Sequence, residues 1–231
     1  MPGRKPTRKG QTLNVQVPAD GVMLEGEMTV PEELHGFVLF AHGSGSSRHS
    51  PRNQYVARVL QAAGVGTLLF DLLTREEDLF DRETAQLRFD IDLLARRLRL
   101  ASDWVTQMPQ IERVRIGYFG ASTGAAAALI VAADLPEIGA VVARGGRPDM
   151  AGTSLPKVQA PTLLIVGGSD HEVIELNRKA LAEMICERRF EIIPGATHLF
   201  EEPGALEEVA RFARQWFERH LGRRENKTQV A

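Results

Sequence analysis

Ser122 lies at the centre of a Gly-Ala-Ser-Thr-Gly segment, residues 120–124, which is the one G-x-S-x-G pattern in the sequence. An apolar run, residues 114–119, precedes it, and the alanine-rich residues 125–133 that follow favour a helix. A sharp strand-to-helix turn lifts a serine hydroxyl clear of a sheet so that a base can reach it, and flanking glycines let strand and helix approach. The alternative is a tight turn with an incidental serine. The context favours Ser122 as a nucleophile.

Such a serine needs an imidazole to take its proton and a carboxylate to orient that imidazole. In proteins with this kind of turn the chain order is serine, acid, histidine. Only His198 lies in a loop after the last predicted strand, so it is the predicted base. His42 is interpreted as structural, with its ring behind a glycine-rich loop. The full set of histidines is His35, His42, His49, His171, His198 and His220.

Asp170 is the predicted acid, because it ends a Gly-Gly-Ser-Asp segment directly after the apolar run 162–166. A carboxylate there would lie at the carboxyl end of a central strand, facing the same crevice as Ser122. Asp149, which follows the preceding strand, is the rival acid. The structural alternative for Asp170 is a helix N-cap.

The glycine-rich segment at residues 41–47 suggests an oxyanion hole, since a tetrahedral intermediate needs two backbone N–H donors. Thr123, after the nucleophile, would supply one donor. Ser44 is the first choice for the other and Gly45 the second. A phosphate-binding loop is the alternative, but no lysine follows the glycines and no dinucleotide spacing is present.

Four residues are weaker candidates for substrate binding: Gly45, Arg48, Asn53 and Arg147. Arg147 could bind a substrate carboxylate, whereas pairing with Asp149 or capping a helix is the structural alternative. No His, Asp, Glu or Cys cluster has metal-ligand spacing, so no metal and no cofactor is predicted.

The surrounding elements predict an α/β fold with about eight strands in a mostly parallel sheet flanked by helices. Alternating residues 12–17 and 22–30 predict an antiparallel hairpin. Short apolar runs then alternate with helical patterns, which is typical of parallel strands joined by crossover helices. These runs are residues 36–41, 66–70, 114–119, 138–142, 162–166 and 190–193.

The bulk composition is that of an ordinary globular protein, with 43% hydrophobic residues, 25% charged residues and a net charge of −2 over 231 residues. Nothing in this balance indicates nucleic acid or membrane as a partner. The single cysteine, Cys186, and the lack of a signal or membrane-spanning run make the cytoplasm the expected compartment. We expect a flexible basic tail at 1–11, one domain at 12–221 and a flexible tail at 222–231. The oligomeric state stays open, a homodimer included.

Taken in order, the segments H-G-S-G-S-S, G-A-S-T-G, G-G-S-D and G-A-T-H-L-F resemble the α/β-hydrolase superfamily. The similarity is strongest to its dienelactone-hydrolase-like branch of small enzymes without a large cap, and it covers about residues 20–221. This resemblance implies a cofactor-free hydrolase of esters, lactones or thioesters. Dienelactone hydrolases themselves carry a cysteine nucleophile, so Ser122 favours a general carboxylesterase over the dienelactone substrate.

We therefore expect a carboxylic ester hydrolase that cleaves short-chain esters or lactones through an acyl-enzyme intermediate. A thioesterase, peptidase or acyltransferase on the same triad is the first alternative, because the triad chemistry is shared. A ligand-binding sensor of the same fold is the second. The connection at 144–161 is too short for a helical cap, and the charged connection at 72–82 could roof the site only in part.

Overall fold

The computed structural model describes residues 10–222. In this part of the chain one eight-stranded sheet forms the centre, with the strand order β1-β2-β4-β3-β5-β6-β7-β8. The pairs β1–β2 and β2–β4 are antiparallel, and every other neighbouring pair is parallel. The strands are β1 (Gln11–Ala19), β2 (Val22–Val30), β3 (Gly36–Ala41), β4 (Val65–Phe70), β5 (Ile116–Ala121), β6 (Ala140–Arg144), β7 (Thr162–Gly167) and β8 (Arg188–Ile193).

The strand types follow from their hydrophobic patterns. Every residue of β3 to β7 is buried, as expected of continuous apolar runs covered by helices on both faces. The hairpin alternates between exposed and buried residues and turns at Asp20 and Gly21, both with positive φ (55° and 77°). The predicted eight strands, with the first two antiparallel, are confirmed.

Five of the six α-helices within residues 10–222 cover the two faces of the sheet. Helices α1 and α6 pack together on one face, and α3, α4 and α5 lie on the other. Each face is therefore closed by a separate apolar layer, with Phe217 of α6 in one and Leu98 of α3 in the other. The helices are α1 (Pro51–Ala62), α2 (Arg75–Thr84), α3 (Ile91–Thr106), α4 (Thr123–Asp134), α5 (His171–Glu183) and α6 (Ala205–His220).

The connections agree with the absence of a large cap that the sequence predicted. Only short 3₁₀ turns (Pro148–Lys157) lie between β6 and β7. The predicted tail boundaries need correction, because Gln11 already pairs with Val30 in the sheet and the Gly222 carbonyl accepts a hydrogen bond from the Arg115 N–H. The rest of both predicted tails, residues 1–9 and 223–231, lies outside the described residues.

Candidate active site

The turn at Ser122 joins β5 directly to α4. Its backbone has φ +49° and ψ −121°, a conformation that side chains rarely adopt. A Cβ on Gly120 would lie 2.5 Å from the Ala125 Cα, and a Cβ on Gly124 would lie 2.1 Å from the Ala41 carbonyl oxygen. Neither position has room for a side chain. The strained serine between two close-packed glycines is the arrangement that the sequence predicted.

Asp170 and His198 meet between the loops that follow β7 and β8. His198 Nδ1 lies 2.6 Å from Asp170 Oδ2. Because a carboxylate oxygen accepts, Nδ1 carries the ring proton and Nε2 keeps its lone pair. Asp170 occupies the N-cap position of α5, but its side chain makes no capping hydrogen bond. The rival Asp149 instead accepts hydrogen bonds from Arg147, at 2.9 and 2.8 Å.

Backbone contacts hold these two loops together. The Ser169 N–H donates to the Ala196 carbonyl at 2.9 Å, and the Gly168 N–H donates to the Ile193 carbonyl at 2.8 Å. A Cβ on Gly167 would lie 2.4 Å from the Ala196 carbonyl oxygen. The acid loop and the histidine loop therefore form one packed unit, in which the Asp170–His198 contact has little freedom.

The strand β6 brings His198 beside Ser122. The Arg144 carbonyl accepts a hydrogen bond from the Ser122 N–H at 3.2 Å. At the next residue, Gly145, a Cβ would lie 3.4 Å from His198 Cε1 and 3.5 Å from its Nδ1. The imidazole thus packs against Gly145, the residue that follows the hydrogen-bond partner of Ser122. The three predicted triad residues therefore follow β5, β7 and β8 at the same edge of the sheet, with the end of β6 between the serine and the histidine.

The loop after β3 packs against the same serine. A Cβ on Gly43 would lie 3.0 Å from the Ser122 Cβ. Ser44, Gly45 and Thr123 line the adjoining cleft. Within residues 10–222, neither the Ser44 N–H nor the Thr123 N–H has a hydrogen-bond acceptor. Both amides are therefore available as donors at the edge of the cleft.

The cleft has a volume of about 840 Å³. Its walls are the loop after β3, the β1–β2 turn and helix α2, and its apolar lining is limited to Val22, Met23, Leu73 and Leu94. The sequence interpretation missed α2 and treated this segment as a charged connection. The missed signal is a capping box, in which the Thr74 hydroxyl accepts from the Glu77 N–H and the Glu77 carboxylate accepts from the Thr74 N–H.

The four weaker candidates for substrate binding differ in their exposure and in their partners. Arg48 lines the cleft, but its guanidinium is paired with both Asp71 and Glu25, so its charge is already compensated. Asn53 is 2% exposed within α1, so its side chain is buried in the core and offers almost no surface to a substrate. Arg147 pairs with Asp149, which is the structural alternative given for it. Gly45, with φ +65°, remains at the cleft wall.

A buried cation lies next to this centre. The Arg144 side chain has no carboxylate partner within residues 10–222 and lies 5.8 Å from the ring centre of Phe200. Burial, with repulsion from Arg52, lowers the pKa of Arg144 to about 10. It is therefore protonated at neutral pH and places a positive charge on the strand beside Ser122.

Neither a metal centre nor a membrane span is found in the described part of the chain. Residues 10–222 contain no group of three or more His, Cys, Asp or Glu side chains placed to hold a metal ion. None of their helices combines the length and apolar character needed to cross a bilayer.

Comparison with known proteins relates this geometry to a family. The model of the dienelactone hydrolase family matches residues 31–221. A dienelactone hydrolase from Anabaena variabilis, known from a crystal structure, is 56% identical, with 93% of this chain and 100% of that chain covered and a TM-score of 0.91. Est1E from Butyrivibrio proteoclasticus shares the fold, at 16% identity over 90% of this chain and 98% of that chain, with a TM-score of 0.75.

A longer relative is also similar. A protein of Mycobacterium tuberculosis named as a putative phosphoribosyl transferase is 57% identical over 209 residues, which are 90% of this chain and 46% of that protein. The chain thus spans about half the length of the curated relatives it matches in this way.

Proposed function

The chain belongs to the dienelactone hydrolase family, and we propose that it is a serine hydrolase that cleaves short-chain carboxylic esters or lactones. The observation that carries this proposal is the 2.6 Å contact of His198 Nδ1 with Asp170 Oδ2, at the same edge of the sheet as the strained turn that holds Ser122. A carboxylate on Nδ1 leaves Nε2 as the basic atom of the imidazole, as a general base requires.

In the proposed acylation step, Ser122 Oγ attacks the substrate carbonyl carbon while His198 Nε2 takes the hydroxyl proton. The carbonyl oxygen becomes an oxyanion that accepts hydrogen bonds from the N–H groups of Ser44 and Thr123. The bond to the leaving oxygen then breaks, and His198 returns its proton to that oxygen. An alcohol leaves from an ester, whereas a lactone opens and its hydroxyl remains part of the acyl group.

Deacylation repeats these steps with water as the nucleophile. His198 takes a proton from water while the water oxygen adds to the acyl carbon, and the second tetrahedral intermediate then breaks its bond to Ser122 Oγ as His198 returns the proton to that oxygen. The carboxylic acid then leaves. Asp170 keeps its charge throughout and stabilises the imidazolium that forms in each half of the reaction.

Dienelactone hydrolases themselves use a cysteine nucleophile, whereas this chain has serine at position 122. Ser122 therefore favours a general carboxylic ester over a dienelactone as the substrate. The phosphoribosyl transferase name belongs to proteins of which this chain matches 46%, so that activity is not carried over. The lone Cys186 supports a cytoplasmic location, because an oxidising compartment favours paired cysteines.

Labelling and turnover test this function together. A fluorophosphonate should label wild-type protein once, at Ser122, and p-nitrophenyl acetate should give a burst of p-nitrophenol followed by steady turnover. Ser122→Ala should remove labelling and leave only about 10³-fold acceleration over water from binding and the oxyanion donors. Ser154→Ala, a change at a half-buried serine of the 3₁₀ turns between β6 and β7, is the control and should behave as wild type. Labelling at another serine contradicts the assignment.

A further inference from the structure

The end of β4 holds both ends of the loop that carries Ser44. This oxyanion loop is defined here as residues 42–48. The Leu72 N–H donates to His42 Nε2 at 3.0 Å, at the start of the loop. Asp71 Oδ1 accepts from the Arg48 N–H at 2.6 Å, at its end, and Asp71 Oδ2 binds the Arg48 guanidinium. Two consecutive residues after β4 therefore determine where the whole loop lies.

The His42 ring has a defined proton arrangement. Its Nδ1 lies 3.0 Å from the Gly43 carbonyl oxygen, and since a carbonyl only accepts, the proton must be on Nδ1. Its Nε2 then has the lone pair that the Leu72 N–H requires. Burial lowers the pKa of His42, which keeps the ring neutral and this arrangement intact at neutral pH. The ring thus links Leu72 to the residue that packs against Ser122.

An ion pair outside the cleft lining fixes Leu72 in turn. Arg97, on α3, is almost fully buried, and its Nη1 donates to the Leu72 carbonyl at 2.7 Å. The same guanidinium binds the two carboxylate oxygens of Glu77 at 2.6 Å each. Glu77 also accepts from the Thr74 N–H at 2.7 Å, at the start of α2. The Arg97–Glu77 pair therefore binds the backbone of both Leu72 and Thr74.

The contacts form one continuous path from this pair to the nucleophile. It runs from Glu77 through Arg97, Leu72 and His42 to the Gly43 carbonyl, and a Cβ on Gly43 would lie 3.0 Å from the Ser122 Cβ. A bidentate arginine–carboxylate pair adds little stability over a well-packed apolar contact, but it allows essentially one geometry. A fixed geometry matters most for the N–H donors of an oxyanion hole, because they must already point at the oxygen on which negative charge develops.

We propose that Arg97 and Glu77 are positioning residues of the oxyanion hole, acting through Leu72 and His42 on the Ser44 donor. This inference rests on the hydrolase function proposed above. The Arg97 guanidinium is almost fully buried and is occupied by Glu77 and the Leu72 carbonyl, so it acts on the substrate only through other residues. Its loss should affect stabilisation of the transition state and leave substrate affinity unchanged.

The decisive comparison is Arg97→Met against Arg99→Met. Both arginines are on α3, but Arg99 is exposed and pairs at 3.4 Å with Asp103, one helical turn away. We expect Arg97→Met to lower kcat for p-nitrophenyl acetate by about 10²-fold, as a misplaced donor does, with KM within about twofold. Arg97→Lys, which keeps one donor for the Leu72 carbonyl, should restore part of kcat. Arg99→Met should match wild type.

Each rate is divided by the number of active sites that a fluorophosphonate labels when the labelling reaction is complete. A misfolded fraction then lowers the number of sites and leaves kcat per site unchanged. If Arg97→Met does not fold, Glu77→Gln decides, with an expected fall of about 10-fold in kcat. Unchanged kcat per site, a rise in KM alone, or equal losses in the Arg97 and Arg99 variants would overturn the proposal.

A second readout separates this proposal from the function beneath it. In a Ser122→Ala background, the ¹⁵N resonance of His42 Nε2 and the Leu72 amide should shift on Arg97→Met and stay in place on Arg99→Met. This measurement needs no catalysis. A wild-type protein without esterase activity would refute the hydrolase function, and full activity in Ser122→Ala would refute its nucleophile, whereas unmoved His42 and Leu72 resonances would refute the positioning path.

Discussion

Three loops supply Ser122, Asp170 and His198, and glycines beside them set how closely those loops approach. The acid and the base meet at 2.6 Å because the loops after β7 and β8 are joined by backbone hydrogen bonds. The serine lies on the other side of the end of β6, where its N–H is bonded to the Arg144 carbonyl and the next residue, Gly145, packs against the imidazole. At this scale the chemistry depends on close backbone packing as much as on the three side chains.

The two carboxylates that compete for the role of acid differ in their partners. We expect Asp170→Asn to lower kcat by about 10⁴-fold, because an amide at this position favours the wrong imidazole tautomer. Asp149→Asn should stay within a few-fold of wild type, since Asp149 pairs with Arg147. Steady-state kinetics with p-nitrophenyl acetate compare the two. The reverse order would move the acid to the loop after β6.

Gly145 and Gly152 form a matched pair for testing the packing of His198. Their φ angles are +50° and +49°, but a Cβ added at Gly145 would lie within 4 Å of His198 atoms, whereas one added at Gly152 would have no neighbour within that distance. Replacement by alanine should cost each variant roughly 1–2 kcal/mol of folding stability, from the left-handed backbone alone. Only Gly145→Ala should also lower kcat, because its methyl group would lie 3.2 Å from the His198 carbonyl oxygen, a tight contact that shifts the residue carrying the imidazole. Urea unfolding and kinetics on both variants distinguish strain from the loss of catalytic geometry.

Among the elements, α2 most affects what the cleft can hold. Several of its polar side chains line the cleft, whereas its exposed apolar residues Leu79 and Phe80 do not. Charges along this wall are largely paired, as in the Arg82–Asp78 and Arg88–Asp81 contacts. The element thus narrows the site without adding an apolar groove.

This wall predicts a preference for short acyl groups. Each buried methylene is worth about 0.8 kcal/mol, so a long chain raises kcat/KM only where an apolar surface receives it. We expect kcat/KM for p-nitrophenyl esters to be highest between acetyl and butanoyl and to show no rise beyond octanoyl. Phe80→Ser, outside the cleft lining, should leave that profile unchanged. A steady increase towards palmitoyl would reveal a groove that these contacts do not include.

On the scale of the whole molecule, one sheet connects every element that carries a site residue. Edge strand β1 contributes Val17 and Ala19 to the core, and the Gly222 carbonyl is bonded to the Arg115 N–H that precedes β5. The apolar layers on the two sheet faces together draw on residues from Val17 to Leu221.

A truncated chain of residues 10–222 should consequently unfold in a single transition and keep the kcat/KM of the full chain. Coincident curves from tryptophan fluorescence and far-ultraviolet circular dichroism in urea would support one cooperative domain. Removal of residues 1–20 is the contrasting variant, and it should lower the unfolding midpoint because β1 and its buried side chains are lost. Separate unfolding transitions in the chain of residues 10–222 would contradict a single domain.

Local signals in the sequence determined the strands, the strand-to-helix turn at Ser122 and the order of the candidate triad. The runs before Ser122 and Asp170 predicted strands that end within a residue or two of the observed ends, because a buried strand shows as a continuous apolar segment. The glycines at 120 and 124 indicated the close approach that the structure shows. Helix α2 was equally local and was missed, although Thr74 and Glu77 carry its capping signal.

Only the tertiary structure decided which polar residues face the cleft and which are paired. Arg48 binds Asp71 and Glu25, each 23 positions away along the chain, and Asn53 turns into the core. The path from Glu77 through Arg97 to His42 likewise joins three separate segments. Periodicity describes contacts within one element, whereas these pairings depend on how strands and helices lie across one another, which the sheet order sets over long separations.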